Sequence, residues 1–339
     1  MNIREANLSG GTHVVILGAG ASIASTNKNP EIHGLKLPSM KDLPTVVGLK
    51  NLLDHFPKNW IVDDDFEATY SNIAENDPNN PHLKEMNSMI YSYFRRLKLP
   101  NKPTIYDYLV MSLRDKDVIA TFNWDPFLYQ AWQRNYYHGS NPLLLFLHGN
   151  VAVGYNEKKD IMGPAGSTSK RTGNYYKPTQ LLFPVRHKDY NKDVFIRREW
   201  EMLLQRLEKN ERCTNNVTIF GYSAPVSDIE ARNLMKSAWG DSDNRNIEQF
   251  EMINLQEEKE KVVTSWKGFI YTDHYDYVES FFDSSIAFYP RRTDEAYWCR
   301  YHPITEEESF VDANPVPKDF KTFEEMWEWY QPLIDMEKQ

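Results

Sequence analysis

Short apolar runs without strict alternation recur along the chain at His13–Leu17, Val118–Phe122, Leu143–Leu147, Val217–Phe220 and Phe250–Ile253. Runs of this length, rich in β-branched and aromatic residues, predict strands buried on both faces, as in a parallel sheet. Lys267–Tyr271 is a further run that predicts a sixth strand. The connections Asp125–Arg134, Val194–Lys209 and Asp228–Ala238 are rich in helix formers. Strands alternating with helices predict an α/β fold, a doubly wound, parallel, Rossmann-like sheet covered on both faces.

The spacing of these runs is uneven. About a hundred residues separate the first from the second, far more than one crossover helix needs. Within them Lys41–Phe56, Asp63–Asn76 and Leu83–Leu97 predict helices, with Pro78, Pro81, Pro100 and Pro103 as breakers. The stretch from about 40 to 117 therefore reads as a helical insertion over the sheet. A second insertion, about 151–185, is rich in Gly, Ser, Thr, Lys and Tyr over Val151–Pro184 and reads as a loop or lid. Residues 1–285 are expected to form the sheet-centred domain. Residues 286–339 read as a C-terminal extension, Pro- and acid-rich at first. Its helix at Thr322–Trp329, with Phe323, Met326 and Trp327 at helical spacing, is expected to dock on the body.

Composition narrows the class. At 339 residues and 41% hydrophobic content the chain can bury a sizeable core. Its 39 basic and 48 acidic residues give a net charge of −9, which disfavours general duplex binding. Cys213 and Cys299 stand in no motif, so neither a disulfide framework nor a thiolate zinc site is legible. No leader-like start is evident, and no apolar run approaches the ~20 residues of a membrane span. The expectation is a cytoplasmic protein.

Candidate chemistry gathers at the predicted strand ends. His13–Leu17 runs into Gly18, Ala19, Gly20, Ala21 and Ser22. Glycines there let the backbone turn and approach a pyrophosphate, and the following helix offers free N–H groups. The third glycine of a dehydrogenase fingerprint is absent, since position 23 is Ile. Asp42, about 20 residues on, lies in a proline-studded segment with no strand, so hydride transfer is disfavoured. The second run ends in Asn123-Trp124-Asp125, the third in His148-Gly149-Asn150, the fourth in Gly221-Tyr222-Ser223 and the fifth in Asn254. Ligands of open parallel sheets bind beyond these carboxyl ends, so a shared site is expected there. Asp63-Asp64-Asp65 reads as a solvated helix start, and Lys170, Arg171 and Lys177 as surface charge. His187 has no paired ligand nearby, and no metal is expected.

Together these residues resemble the sirtuin superfamily. Gly18-Ala-Gly-Ala-Ser22 looks like its Gly-Ala-Gly-x-Ser opening, Thr121-Phe-Asn-Trp-Asp125 like its Thr-x-Asn-x-Asp segment, and His148-Gly149 like its catalytic His-Gly. Gly221-Tyr222-Ser223 corresponds to the Gly-Thr-Ser segment and Asn254 to the Asn facing the adenosine ribose. The matches run in family order over roughly residues 13–255. The Pro-Asp-Phe-Arg segment and the paired Cys-x-x-Cys zinc module of the deacylases are missing. The form Gly221-Tyr-Ser-Ala-Pro-Val-Ser-Asp228, with Pro225 and Asp228, resembles a divergent prokaryotic branch associated with antiphage defence.

The resemblance implies an NAD+ hydrolase that depletes NAD in an abortive-infection response. Asn123, His148 and Asp125 would be the catalytic residues. Gly18, Ala19, Gly20, Ala21 and Ser22 would hold the pyrophosphate, and Gly221, Tyr222, Ser223, Asp228 and Asn254 the adenosine side. It also implies a homo-oligomer and a partner ATPase or sensor protein of a defence system. An NAD-dependent protein deacylase and a catalytically silent NAD or ADP-ribose sensor stay open as alternatives.

Overall fold

A computed structural model describes residues 11–26, 35–208, 214–224, 228–240, 249–270, 274–301 and 312–337. Its centre is a six-stranded parallel sheet. Strand β1 (Thr12–Leu17) lies between β2 (Val118–Thr121) and β7 (Thr214–Phe220), with β3 (Leu143–Phe146) outside β2. Strands β8 (Gln249–Ile253) and β9 (Asp276–Val278) follow beyond β7, giving the order β3-β2-β1-β7-β8-β9. Val14, Val15, Leu17, Val118, Ile119, Ala120 and Leu145 are wholly enclosed. Burying one such Val or Leu side chain contributes about 1.5–3 kcal/mol, so these runs are strands because both their faces are covered.

Helices cover both faces. Helix α8 (Val194–Leu207) packs on β3, β1 and α9 (Ile229–Trp239). On the other side α6 (Ile105–Met111) packs against α1 (Ala19–Thr26), α7 (Phe127–Asn135) and α11 (Ser285–Phe288), while α12 (Thr293–Tyr301) lies on β1 and β7. Leu17 is in register with Thr121 on one side and Phe220 on the other. Chain order therefore reverses at β1, which makes the ends of β1, β2 and β7 the switch point where open α/β sheets carry their ligand crevice.

Several expectations need correction. Lys267–Ile270 is a turn after α10 (Lys259–Trp266), and Tyr271 lies outside the described residues. The sixth strand is Asp276–Val278, an edge strand with no fully buried residue and hence no continuous apolar run. The 151–184 insertion is no mere loop. It forms a small antiparallel sheet from β4 (Val153–Asn156), β5 (Ile161–Pro164) and β6 (Lys177–Pro178), ordered β5-β4-β6. Its glycines serve close packing: a Cβ on Gly154 would stand 2.6 Å from the Tyr176 carbonyl oxygen, and one on Gly163 2.6 Å from the Tyr176 ring.

The segment 41–56 is two short helices, α2 (Leu43–Val47) and α3 (Lys50–Leu53), divided at Gly48 with φ 85°. Helix α4 (Phe66–Asn76) starts after Asp65, whose carboxylate accepts the Ala68 N–H at 2.9 Å. The Leu83–Leu97 helix runs instead over Pro81–Arg95 as α5. The unanticipated α6 begins right after Pro103, where Thr104 and Asp107 form a capping box. The terminal helix α13 (Phe323–Met336) is longer than expected and carries Pro332 within it. Met326 and Tyr330 are fully buried, and the Tyr330 hydroxyl donates to the Tyr108 carbonyl at 3.2 Å. Cys299 is buried, whereas Cys213, Lys209 and Pro225 lie outside the described residues.

Candidate active site

The turn after β1 crosses the turn after β7 backbone to backbone. Gly18 N–H donates to the Phe220 carbonyl and Gly20 N–H to the Gly221 carbonyl, both at 3.0 Å, while Gly221 N–H reaches Ile253 O at 3.0 Å. A Cβ on Gly18 would sit 2.5 Å from Gly221 O, and one on Gly221, at φ 62°, would sit 2.3 Å from Ala21 N. The glycines are thus required first by each other. Ala21 N–H is likewise taken, by Gly18 O at 3.1 Å, which leaves the exposed Ala19 as the open end of this loop.

Beside that crossing stands a polar corner built on Asn123 and Asp125. Asn123 Nδ2 donates to the Gly18 carbonyl at 2.7 Å and to Ser22 Oγ at 2.9 Å, with Tyr106 OH at 3.3 Å. A carbonyl oxygen only accepts, so the Gly18 contact fixes which end of the amide is nitrogen. Among the described residues Asn123 Oδ1 has no hydrogen-bond donor; it remains an acceptor on a half-buried side chain. Ser22 is fully buried and faces inward, its hydroxyl donating to Asp125 Oδ2 at 2.7 Å with Tyr106 OH also at 2.7 Å. Asp125 also accepts the Phe127 N–H at 3.1 Å, near the start of α7. Burial pushes its carboxyl up to about 6, although hydrogen bonds from Ser22 and the backbone oppose the shift. Asn150 locks the corner from β3, its amide donating to the carbonyls of Asp125 (2.7 Å) and Asn123 (3.2 Å).

The second corner surrounds His148, and it is mostly rings. Phe122 meets the imidazole edge-on at 4.8 Å between centroids, and Tyr190 lies nearly parallel to it at 5.9 Å. Tyr222 stacks on the other side of Phe122 at 4.2 Å. The one polar contact of the imidazole is Nε2 to Tyr190 OH at 3.3 Å; among the described residues Nδ1 has no partner. Gly149 follows at φ 72°, where a Cβ would overlap Gln180 O at 1.9 Å, and Leu182 N–H caps the His148 carbonyl at 2.9 Å. Gly149 is therefore needed for the Gln180–Leu182 end of the insertion to pack against the His148–Gly149 backbone.

Behind it lies a buried ion pair. Lys188 Nζ contacts Asp228 Oδ1, and Tyr222 OH donates to Asp228 Oδ2 at 2.9 Å. Burial drives His148 down to about 4, with Asp228 pulling it back and Lys188 adding to the drop. The imidazole is neutral through the physiological range. Burial pushes Asp228 up, but the Lys188 ammonium and the hydrogen bonds from Lys188 and Tyr222 hold the carboxyl below its ordinary value.

All three residues expected to act on the ligand, Asn123, Asp125 and His148, thus stand on adjacent strand ends with the Gly18–Ser22 and Gly221–Tyr222 turns. Ser223 is half-buried in the turn after Gly221, and half-buried Asn254 turns its Oδ1 to the Leu255 N–H at 2.9 Å. Asp228 faces Lys188 and Tyr222, toward the His148 corner. Tyr106, Lys188, Tyr190 and Thr179 went unrecognised. Tyr106 lies 84 positions from Ser22, and Thr179 brackets the Asn150 backbone from inside the insertion, so no local spacing announces them. Asn150 stands at the end of the third apolar run, but no role for it was legible there.

No protein-family model matches the chain, and no curated protein matches it. Solved structures do. The chain is similar to a Sir2 homologue in complex with NAD, at 13% identity over 80% of this chain and 86% of that one, with a TM-score of 0.39. A Sir2 bound to acetylated peptide matches at 14% identity over 82% and 92%, TM-score 0.35. A mutant Sir2 homologue in complex with ADP-ribose matches at 12% identity over 74% and 82%, TM-score 0.33.

Proposed function

We propose that this chain is an NAD+ glycohydrolase, releasing nicotinamide and ADP-ribose, that acts by depleting NAD in an antiphage response. The observation that carries the chemistry is a neutral, ring-walled His148 on the strand end next to an Asn123 whose amide nitrogen is pinned. The setting in defence is carried over from the resemblance of the Gly221–Asp228 segment.

The reaction breaks the bond between the ribose C1′ and the nicotinamide nitrogen. The bonding pair leaves with nicotinamide, through an oxocarbenium-like state akin to that of glycoside hydrolysis. A water oxygen bonds to C1′ and gives its proton to His148, which needs a free imidazole nitrogen and no charge. Asn123 Oδ1 accepts from the water or a ribose hydroxyl and so orients the attack. Asp125 fixes Ser22, and through it Asn123, while its own charge favours the cationic sugar. Ala19 offers the loop's open amide to the pyrophosphate.

The test is incubation of purified protein with NAD+ and identification of products by mass spectrometry. Nicotinamide and ADP-ribose are expected from the native chain and not from His148→Ala or Asn123→Ala, with circular dichroism confirming that both variants fold. Unchanged turnover in both variants would sink the assignment. Release that requires an acetylated peptide, with 2′-O-acetyl-ADP-ribose as product, identifies a deacylase instead. Bound but intact NAD+ in every condition identifies a sensor. Turnover alone and with a genomic-neighbour ATPase, together with light scattering, tests the proposed partner and oligomer.

A further inference from the structure

Apart from that crevice, the opposite end of α1 borders a small cavity of 220 Å³. Its lining includes three aromatic rings: Tyr108 lies 5.6 Å from Phe282 and 5.8 Å from Phe320, centroid to centroid. Lys102, Lys318 and Lys321 line the same cavity, all exposed. None of the three ammonium groups has a carboxylate partner among the described residues, and Lys318 Nζ lies 5.6 Å from the Phe282 ring centre. One acid, Asp319, shares the lining, so the cavity carries an excess of two positive charges in a chain of net −9. The nearby hydroxyls are already engaged: Ser25 donates to Ala21 O, Thr26 to Ser22 O, and Thr104 to Asp107. Among the described residues, the side-chain donors left for a ligand are therefore the lysines and the Tyr108 hydroxyl.

We infer that this cavity is a separate binding site for a nucleoside monophosphate, its flat base against the rings and its phosphate among the lysines. The volume lies below the ~300–1,000 Å³ of sites that enclose drug-sized ligands, which excludes a whole dinucleotide but admits one ring. Bases stack on aromatic side chains for about 1–3 kcal/mol each, and ammonium groups attract phosphate. The site also has a route to the crevice. Its walls are the last turn of α1 and the start of α6, the two elements that carry Ser22 and Tyr106, whose hydroxyls meet at 2.7 Å. The inference does not depend on NAD cleavage.

Isothermal titration of the full chain with uridine monophosphate, AMP, uridine and inorganic phosphate tests it. Saturable binding of at least one nucleotide is expected, falling about tenfold or more in Lys318→Glu/Lys321→Glu. Both positions are exposed, so the double variant is expected to keep its melting temperature. Uridine and inorganic phosphate should each bind more weakly than that nucleotide. No saturable binding of either nucleotide, or affinities unchanged in the double variant, would overturn the site. So would phosphate alone binding as tightly as the nucleotides, because the rings would then contribute nothing.

Discussion

The Asn123 and His148 corners share one sheet edge and solve opposite problems. In the first, polar groups satisfy one another: Gly18 O, Ser22, Tyr106, Asp125 and Asn150 form a closed hydrogen-bonded set with a single acceptor left over. In the second, rings replace partners, and a buried imidazole keeps one 3.3 Å contact. The two dominant titrations move in opposite senses for the same reason. Burial penalises charge, so Asp125 rises to about 6 and His148 falls to about 4. In the proposed reaction the saturated half holds the ligand and the unsaturated half keeps the reactive atom.

The largest expected effect is on rate. His148→Ala is expected to lower nicotinamide release about 10²–10⁴-fold, the usual share of a general base, with urea unfolding still cooperative. If Ser22→Ala lowers turnover as far while leaving stability intact, the division of labour is wrong. Lys188→Met removes the cation that Asp228 faces and leaves a buried carboxylate unpaired, a loss of about 3–5 kcal/mol in other proteins. It also raises the His148 pKa, because the pull of Asp228 is then unopposed. NMR titration of the imidazole reads this directly, and an unmoved His148 would show that the ion pair is electrostatically irrelevant to it.

Gly221→Ala attacks the crossing that both halves share. Its φ of 62° and the 2.3 Å approach to Ala21 N should together destabilise the chain by about 2–4 kcal/mol in denaturant unfolding. Ser22→Ala, which strips a partner from Asp125, is expected to lose about 1–3 kcal/mol.

The most gradual effects are those of pH, at up to about 1.4 kcal/mol per pH unit per group. Folded His148 stays neutral down to about 4 while the unfolded histidine charges near 6.5, so the native state loses stability as pH falls through that window. Fully buried His13, lowered to about 3 by burial and by Lys116, acts in the same sense. Asp125 is the mirror case. Folded, it keeps its proton to about 6 while the unfolded carboxyl ionises near 3.8, so stability falls as pH rises between them. Relative to the native chain, Asp125→Asn should therefore gain stability from pH 4 to 6, and His148→Phe should gain from 6.5 down to 4. Parallel urea curves at each pH in either variant would remove the contrast. In the proposed reaction the acid limb of nicotinamide release is expected near pH 4 rather than 6.5, which a pH–rate profile checks.

The comparison also explains what was legible beforehand. Doubly covered strands carry apolar runs, and despite buried polar residues such as Thr218 and Glu251 five of the six could be read from them; the half-buried edge strand Asp276–Val278 could not. Glycines at strand ends and polar residues just beyond them marked the crevice, because a parallel sheet collects its ligands there. By itself the sequence determined five of the six sheet strands, several of the helices and the meeting of Gly18, Asn123, His148 and Gly221 at one edge, since these follow from local periodicity and the rules of α/β winding. Tertiary structure alone decided that Tyr106 would hold Ser22, that Tyr190 and Phe122 would wall His148, and that Lys188 would neutralise Asp228. These partners lie tens of residues from the groups they touch, in segments whose local pattern serves packing. Contact across such separations depends on how the layers dock, and no spacing along the chain encodes it.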